Sequence, residues 1–383
     1  MILEPTSAIF PAIEPIDAGM DGDKLNMACA FIEAELAIER FPGAALVVTR
    51  GQRTVLERAW GTYCNTIRRD EPYHLGVLNM LYSFSKVVSA TVVVLVQQEG
   101  LLDYDLPVWR YIPEFRSGNK EAITLRHLLT HSAGIPNVPL GSVSDEEGWQ
   151  TALRACCAHE IEWPAGSKSA YHGISGMFMA AEVVRRVSDY APWETICQQR
   201  LFKPLGAHFT FLPPLEDLAV ALTPQPKELP CWLGPKTYPA LGHPGAGCFG
   251  TAADAQRLLN LHLQQGEWQG KQIIQPGAFD EMHRVQYAQQ INQALQNGQI
   301  PVHEFWALGW LTRGKTTTGW FGFGDRAAES SYGHAGIDTV MSVADPERYL
   351  AITFLTTDSP RPSEETTRLR DTVTNLVVAA CTT

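Results

Sequence analysis

Ser83-Phe84-Ser85-Lys86 sets a hydroxyl and an amine three residues apart at the head of an apolar segment. On a helix those two positions share a face, so the amine of Lys86 can reach the hydroxyl of Ser83. The first N–H groups of a helix lack intrahelical acceptors and carry partial positive charge, so a serine there lies beside donors able to hold an oxyanion. Nucleophile, base and half an oxyanion hole can thus come from one turn of backbone, which is the chemistry of serine acyl transfer. In apolar surroundings the charged amine is costly, which lowers its pKa toward that of a working base.

The context of the tetrapeptide carries more than the tetrapeptide itself. The run through Val87, Val88, Val92, Val93, Leu95 and Val96 ends at Gln97-Gln98-Glu99-Gly100. Its valines suit a strand, but its length, the serine at its start and the glycine at its end predict a buried helix. A second Ser-x-x-Lys, Ser117-Gly118-Asn119-Lys120, follows Pro113 and reads as a surface turn in which nothing fixes lysine against serine.

Other motifs carry less. Gly309-Trp310-Leu311-Thr312-Arg313-Gly314-Lys315-Thr316 matches a phosphate-binding loop, but such a loop must open a helix. The residues after it, Thr317-Thr318-Gly319-Trp320-Phe321-Gly322, cannot start one, so Trp306 to Thr312 is read as a strand and Gly314-Lys315 as its turn. His127 and His131 are four apart, yet the Glu of a His-Glu-x-x-His zinc site is missing between them, so packing and hydrogen bonding are their expected roles. Trp306, Trp310, Phe323 and Tyr332 are candidates for an acyl pocket, with core packing the simpler role.

The elements that must position this chemistry can be read along the 383 residues. Leu25, Phe31, Ile32, Leu36 and Ile38 give Asp21 to Arg40 an amphipathic helical spacing. Ala44–Thr49 and Thr54–Trp60 read as strands around an Arg50–Arg53 turn, and Thr339–Ala344 and Tyr349–Thr356 as another pair around Asp345-Pro346-Glu347. A last helix is expected from Ser363 to about Ala380. Hairpins at both ends with helices outside them predict an α/β (α+β) fold, an antiparallel sheet built from both termini and flanked by helices. Residues 101–284 hold helical stretches at Leu125–Thr130, Trp149–Ala158, Gly176–Val187 and Ala252–Gln265, which predicts an inserted, mostly helical domain. Residues 1–100 and 285–383 would then form the sheet domain, with the active site in the cleft between the two.

A net charge of −11 with no basic block argues against nucleic acid or anionic lipid as a partner. The first fifteen residues lack the order of a signal peptide, and no apolar run approaches the roughly 20 residues of a membrane helix. The eight cysteines form no Cys-x-x-Cys pair and read as reduced thiols of a cytoplasmic protein.

Further segments fall in a telling order: Phe41-Pro42-Gly43-Ala44, then Thr124 to Pro136 (TLRHLLTHSAGIP), then Pro164-Ala165-Gly166 with Tyr171-His172-Gly173. Gly245-Ala246-Gly247 ahead of Thr251-Ala252-Ala253-Asp254, and Gly333-His334-Ala335-Gly336 opening the last hairpin, complete the set. With Ser83 and Lys86 these resemble the serine β-lactamase and penicillin-binding-protein superfamily, class C β-lactamases and family VIII carboxylesterases most closely, over about residues 28–356. The resemblance implies that Ser83 is the acylated nucleophile, Lys86 its partner base and Tyr171 the second proton-transfer residue. It puts the oxyanion hole at the backbone N–H groups of Ser83 and Ile337, and His334-Ala335-Gly336 in the substrate-binding place where many members have Lys-Thr-Gly. It also implies that no metal or organic cofactor is required.

Two departures shape the expected substrate. Tyr171-His172-Gly173 stands for Tyr-x-Asn and lacks the amide that would hold an acylamino group. His334 replaces the lysine that would meet a substrate carboxylate, and a histidine of ordinary pKa is mostly neutral at pH 7. A small uncharged ester or amide is therefore the expected partner, hydrolysed through an acyl-Ser83 intermediate. A β-lactamase or D-amino-acid peptidase, acyl transfer, and a non-catalytic penicillin-binding-type module are the alternatives.

Overall fold

The computed structural model describes residues 9–62, 71–138, 140–171, 173–213, 241–291, 303–315, 322–336, 340–357 and 363–382. Its helices are α1 (Gly22–Ala37), α2 (Ser85–Gln98), α3 (Leu125–Leu129), α4 (Glu146–Ala158), α5 (Ser175–Val187), α6 (Trp193–Cys197), α7 (Lys203–Leu205), α8 (Ala252–Leu263), α9 (Pro276–His283) and α10 (Ser363–Ala379). Its strands are β1 (Gly43–Arg50), β2 (Arg53–Gly61), β3 (Asn79–Met80), β4 (Phe249–Gly250), β5 (Glu267–Trp268), β6 (Lys271–Gln272), β7 (Tyr287–Ile291), β8 (His303–Trp306), β9 (Leu311–Thr312), β10 (Tyr332–Gly336), β11 (Val340–Asp345) and β12 (Leu350–Thr356).

Local chemistry sets many of these boundaries. Gly51 and Gln52 both hold positive φ, 56° and 60°, so β1 and β2 are joined by the two-residue turn whose twist matches that of the strands. The Asp21 carboxylate accepts from the N–H groups of Asp23 and Lys24 and starts α1. Thr251 and Asp254 cap α8 reciprocally.

The main sheet has eight antiparallel strands in the order β2-β1-β12-β11-β10-β9-β8-β7, so the first strand pairs with the last and the first hairpin is joined to the end of the chain. Successive side chains of a strand face opposite sides, and the central strands are buried on both. In β1, Ala44, Leu46 and Val48 join the core under α1 and α10, while Ala45 and Val47 join the larger core around α2, α5 and α8. β12 divides likewise, with Leu350, Ile352 and Phe354 on the first side and Ala351 and Leu355 on the second. Helices thus flank the sheet on both faces, as expected, and the regular elements described between residues 101 and 284 are mainly helices. No described helix is long and apolar enough to cross a membrane.

Three local expectations are corrected. Trp306 to Thr312 is not one strand but a hairpin: β8 ends at Trp306 and Gly309 turns at φ 74° before β9. A Cβ on Gly309 would stand 2.2 Å from that of Ala90, so the turn is pressed against α2, where only glycine fits. Gly333-His334-Ala335-Gly336 does not open the last hairpin but lies within a strand of its own, β10, buried throughout. Ser117 to Lys120 is indeed a turn, with Gly118 and Asn119 at φ 71° and 62°, but Lys120 is buried. Its Nζ donates to the carbonyls of Cys157 (3.0 Å) and His159, supplying partners to the end of α4.

Candidate active site

Ser83 does not sit at the α-helical N-cap. It lies in a 3-10 turn, Tyr82–Phe84, that runs directly into α2. Tyr82 takes a positive φ of 45°, a costly conformation for a non-glycine residue, at the start of the turn that carries Ser83. The end of β10 buttresses this turn: a Cβ on Gly336 would stand 2.7 Å from the Leu81 carbonyl oxygen and 3.0 Å from the Tyr82 Cβ.

Around Ser83 the structure brings two predicted side chains together. Lys86 Nζ lies 3.1 Å from Ser83 Oγ, and Tyr171 Oη donates to the same oxygen at 2.7 Å. Lys86 Nζ also stands 5.0 Å from the centroid of the Tyr171 ring and donates to the Gly245 carbonyl at 2.8 Å. Lys86 is fully buried, and desolvation lowers its pKa from 10.5 to about 7. A lysine so placed reaches its amine form near neutral pH, where it can act as a base.

Residues of the helical region and Trp306 beyond it hold Tyr171 in place. Ala170 N–H and Ser169 Oγ bond the carbonyl of His131, whose ring packs 4.8 Å from Tyr171 and 4.4 Å from Trp306. Trp306 in turn stacks on Tyr171 at 5.9 Å and 15°. His131 and Trp306 therefore act as walls of the tyrosine slot, whereas the His127 ring completes a capping box with Thr124. The two histidines do not converge, and no group of three metal-ligating side chains occurs among the described residues. Trp310, Tyr332 and Phe323 are buried packing residues, as the simpler reading has it.

Strand alternation fixes what β10 offers. Ala335 points into the core under α1 and α10, so only its backbone is on the site side. His334 faces the other way, its ring 6.0 Å from Tyr171 and 6.1 Å from Trp306. Its Nδ1 lies 2.7 Å from the Ala335 carbonyl oxygen, which can only accept, so Nδ1 carries the proton. Burial first, and then the charges of Lys86 and Arg370, hold the His334 pKa down at about 3. The ring is neutral and so does not supply the ammonium of the family's lysine. Ile337 lies outside the described residues.

Two features had escaped the sequence reading. One is the 243–248 loop, which supplies the Gly245 carbonyl and is stapled to α2 on both sides of Lys86: Ser85 Oγ accepts from Cys248 N–H (2.9 Å) and Ser89 Oγ donates to the Pro244 carbonyl (2.6 Å). The other is Arg370 of α10, which is buried and donates to the Gly336 carbonyl. Gly245-Ala246-Gly247 marked the loop but not its role.

This constellation agrees with the match of the beta-lactamase family model to residues 29–374. The chain belongs to the beta-lactamase family. Its members are serine hydrolases, among them carboxylesterases, carboxypeptidases and β-lactamases. The chain is 24% identical to an N-acetylmuramyl-L-alanine amidase of Bacillus subtilis, over 88% of this chain and 82% of that one. Two solved structures share its fold. A penicillin-binding protein homolog from Caulobacter crescentus superposes with a TM-score of 0.76 at 21% identity, covering 98% of this chain and all of the other. A family VIII carboxylesterase superposes at 0.73 and 20% identity, covering 93% and 97%.

Proposed function

We propose that the protein hydrolyses small uncharged carboxylic esters through an acyl-Ser83 intermediate. The observation that carries this is the Ser83 hydroxyl held between Lys86 Nζ and Tyr171 Oη, at 3.1 and 2.7 Å. Lys86, as the amine, takes the hydroxyl proton while Oγ bonds to the ester carbonyl carbon. The carbonyl π pair moves to oxygen, where the Ser83 N–H and that of Ile337 hold it, each such donor being worth about 3–4 kcal/mol. Collapse expels the alkoxide, which receives the proton passed from Lys86 through Tyr171. Water then attacks the acyl carbonyl and gives a proton to Lys86 through Tyr171; the bond from the acyl carbon to Ser83 Oγ breaks, Oγ takes that proton back, and the acid leaves with the water's oxygen.

The ester preference rests on His334. A buried neutral imidazole gives a substrate carboxylate no counter-charge, which disfavours penicillins and cell-wall peptides relative to uncharged esters. Amide cleavage is the second reading, favoured by the amidase name of the Bacillus subtilis relative. Turnover of p-nitrophenyl butyrate beside nitrocefin and a D-alanyl-D-alanine peptide separates the two. Ester turnover dominating supports the first; peptide or nitrocefin turnover dominating overturns it. Six described cysteines are free thiols, four of them buried, which supports placing the enzyme in a reducing, cytoplasmic compartment.

A further inference from the structure

His243 is a fully buried histidine that the acyl-transfer steps leave unused. It sits at the head of the loop that receives Lys86, and its bonds shape that loop. Its carbonyl accepts from the N–H groups of Ala246 (3.1 Å) and Gly247 (2.7 Å). Its Nδ1 accepts from the N–H of Gly245 at 3.0 Å, two residues on, the geometry that asparagine and aspartate use in turns. The carbonyl of the same Gly245 then accepts from Lys86 Nζ at 2.8 Å, and Lys86 Nζ lies 3.1 Å from Ser83 Oγ. An unbroken chain of contacts thus runs from an imidazole lone pair to the nucleophile.

We infer that His243 is a positioning residue for Lys86: its ring fixes the Pro244–Gly245 peptide and its carbonyl the Gly245–Ala246 peptide, whose C=O holds the amine against Ser83. The inference rests on the acyl-Ser83 reading above. Two observations show that packing alone does not account for the residue. Gly245 has no side chain to limit its φ and ψ, and a Cβ there would crowd the Gly173 carbonyl at 3.2 Å and the Met177 Cβ at 3.3 Å, so the ring's hold on its N–H limits the turn that aims its carbonyl. His243 Nε2 has no hydrogen-bond partner among the described residues, and a leucine or phenylalanine beside Phe178 would avoid that cost. Burial and then the nearby Lys86 charge hold the imidazole neutral, with a pKa of about 3, so the Nδ1 lone pair is available throughout the working pH range.

The groups facing Lys86 are Ser83 on its own turn, Tyr171, His243 on the loop and His334 on β10, with Arg370 behind the last. Loss of the fixed Gly245 carbonyl removes an acceptor that stabilises the ammonium, so the amine form extends to lower pH while its placement loosens. The test is steady-state hydrolysis of p-nitrophenyl butyrate across about pH 5–9, with the rate of Ser83 labelling by a fluorophosphonate measured in parallel. His243→Phe keeps a ring but no acceptor and should lower kcat about tenfold or more, leave KM within about twofold, and move the acid limb down by about half a pH unit. His243→Asn restores an acceptor to the Gly245 N–H and should return kcat to within about threefold of wild type. If the Phe variant does not fold, His243→Ala takes its place in the comparison with Asn.

Wild-type kcat and acid limb in the variants without an acceptor would overturn the inference while leaving the acyl-Ser83 reading intact. So would an Asn variant no better than Phe or Ala. A wild-type protein that neither turns over ester nor labels at Ser83 refutes both together.

Discussion

Gly336, at the end of β10, stands so close to Leu81 that a Cβ on the glycine would lie 2.7 Å from the leucine carbonyl oxygen. The strand end and the Ser83 turn are therefore in tight backbone contact, and Arg370 donates to the Gly336 carbonyl. Gly336→Ala should push the turn by several tenths of an ångström and displace Ser83 from Lys86 and Tyr171. The expected result is a fall in kcat of about 10²-fold, with far-UV circular dichroism unchanged, because small misplacements of a reacting group are costly. An alanine variant with wild-type kcat would show that the contact is slack.

Lys86 should set the acid limb of the activity profile. Its pKa of about 7 means that the amine appears as pH rises through neutrality, so kcat should climb between about pH 6 and 8. A rate flat across that window would remove Lys86 as the base.

The same burial makes Lys86 a stability cost. The unfolded chain protonates it below its usual 10.5 whereas the folded chain does so only below about 7, so the unfolded state binds more protons between those values and stability rises with pH across them. At pH 7 Lys86→Met should abolish turnover by about 10²–10⁴-fold. It should also stabilise the fold, by about 2 kcal/mol after the lost hydrogen bonds are counted, as a shifted urea midpoint would show. Destabilisation on that substitution would contradict the electrostatic account.

Glu182 on α5 is a fixed point of the helical region. Fully buried, it accepts from Trp149 Nε1 and Arg186 Nε, both at 2.7 Å, with Arg185 Nη1 at 3.5 Å. Removing the carboxylate leaves buried donors and charge uncompensated, so Glu182→Ala should lower the unfolding free energy by about 3–5 kcal/mol. Urea denaturation measures it, and a loss below about 1 kcal/mol would mean the network is worth no more than a surface pair.

Buried histidines should make the fold acid-labile. His283 Nε2 and His262 Nδ1 are 2.9 Å apart, and His262 Nε2 lies 3.1 Å from Thr91 Oγ1, which itself donates to the Val87 carbonyl. Burial holds His283, like His334, at a pKa of about 3 and His262 well below the usual 6.5. Below 6.5 the unfolded chain takes up protons that the folded chain refuses, so each such histidine costs up to about 1.4 kcal/mol per pH unit as pH falls toward 3. The melting temperature should drop between pH 7 and 5, and by less in His283→Phe. An equal drop in both would assign the lability elsewhere.

How much of this was legible depends on where each signal lives. The α2 motif is local, so spacing alone brings Ser83 and Lys86 together. Tyr171 is 88 residues away in sequence, and only the ordered resemblance linked it to Ser83. The hairpins nearest the two ends of the chain were legible because their turn residues and short apolar, β-branched strands are local too. The β8–β9 hairpin was not, because Trp306-Ala307-Leu308-Gly309-Trp310-Leu311 reads as one apolar run. Its reversal is dictated by the contact of Gly309 with Ala90, which no local pattern reveals. The burial of Lys120 and the Gly245 acceptor were hidden for a related reason: both depend on backbone carbonyls, which every residue has and no side chain announces.

The account stands or falls on Ser83 as an acylated nucleophile. Intact-mass analysis after treatment with a fluorophosphonate, mapped by peptide and repeated on Ser83→Ala, tests it most directly. One adduct at Ser83, lost in the variant together with at least about 10³-fold of the p-nitrophenyl butyrate turnover, is the predicted result. A protein that turns over the ester without labelling at Ser83, or equally well without it, would contradict the account.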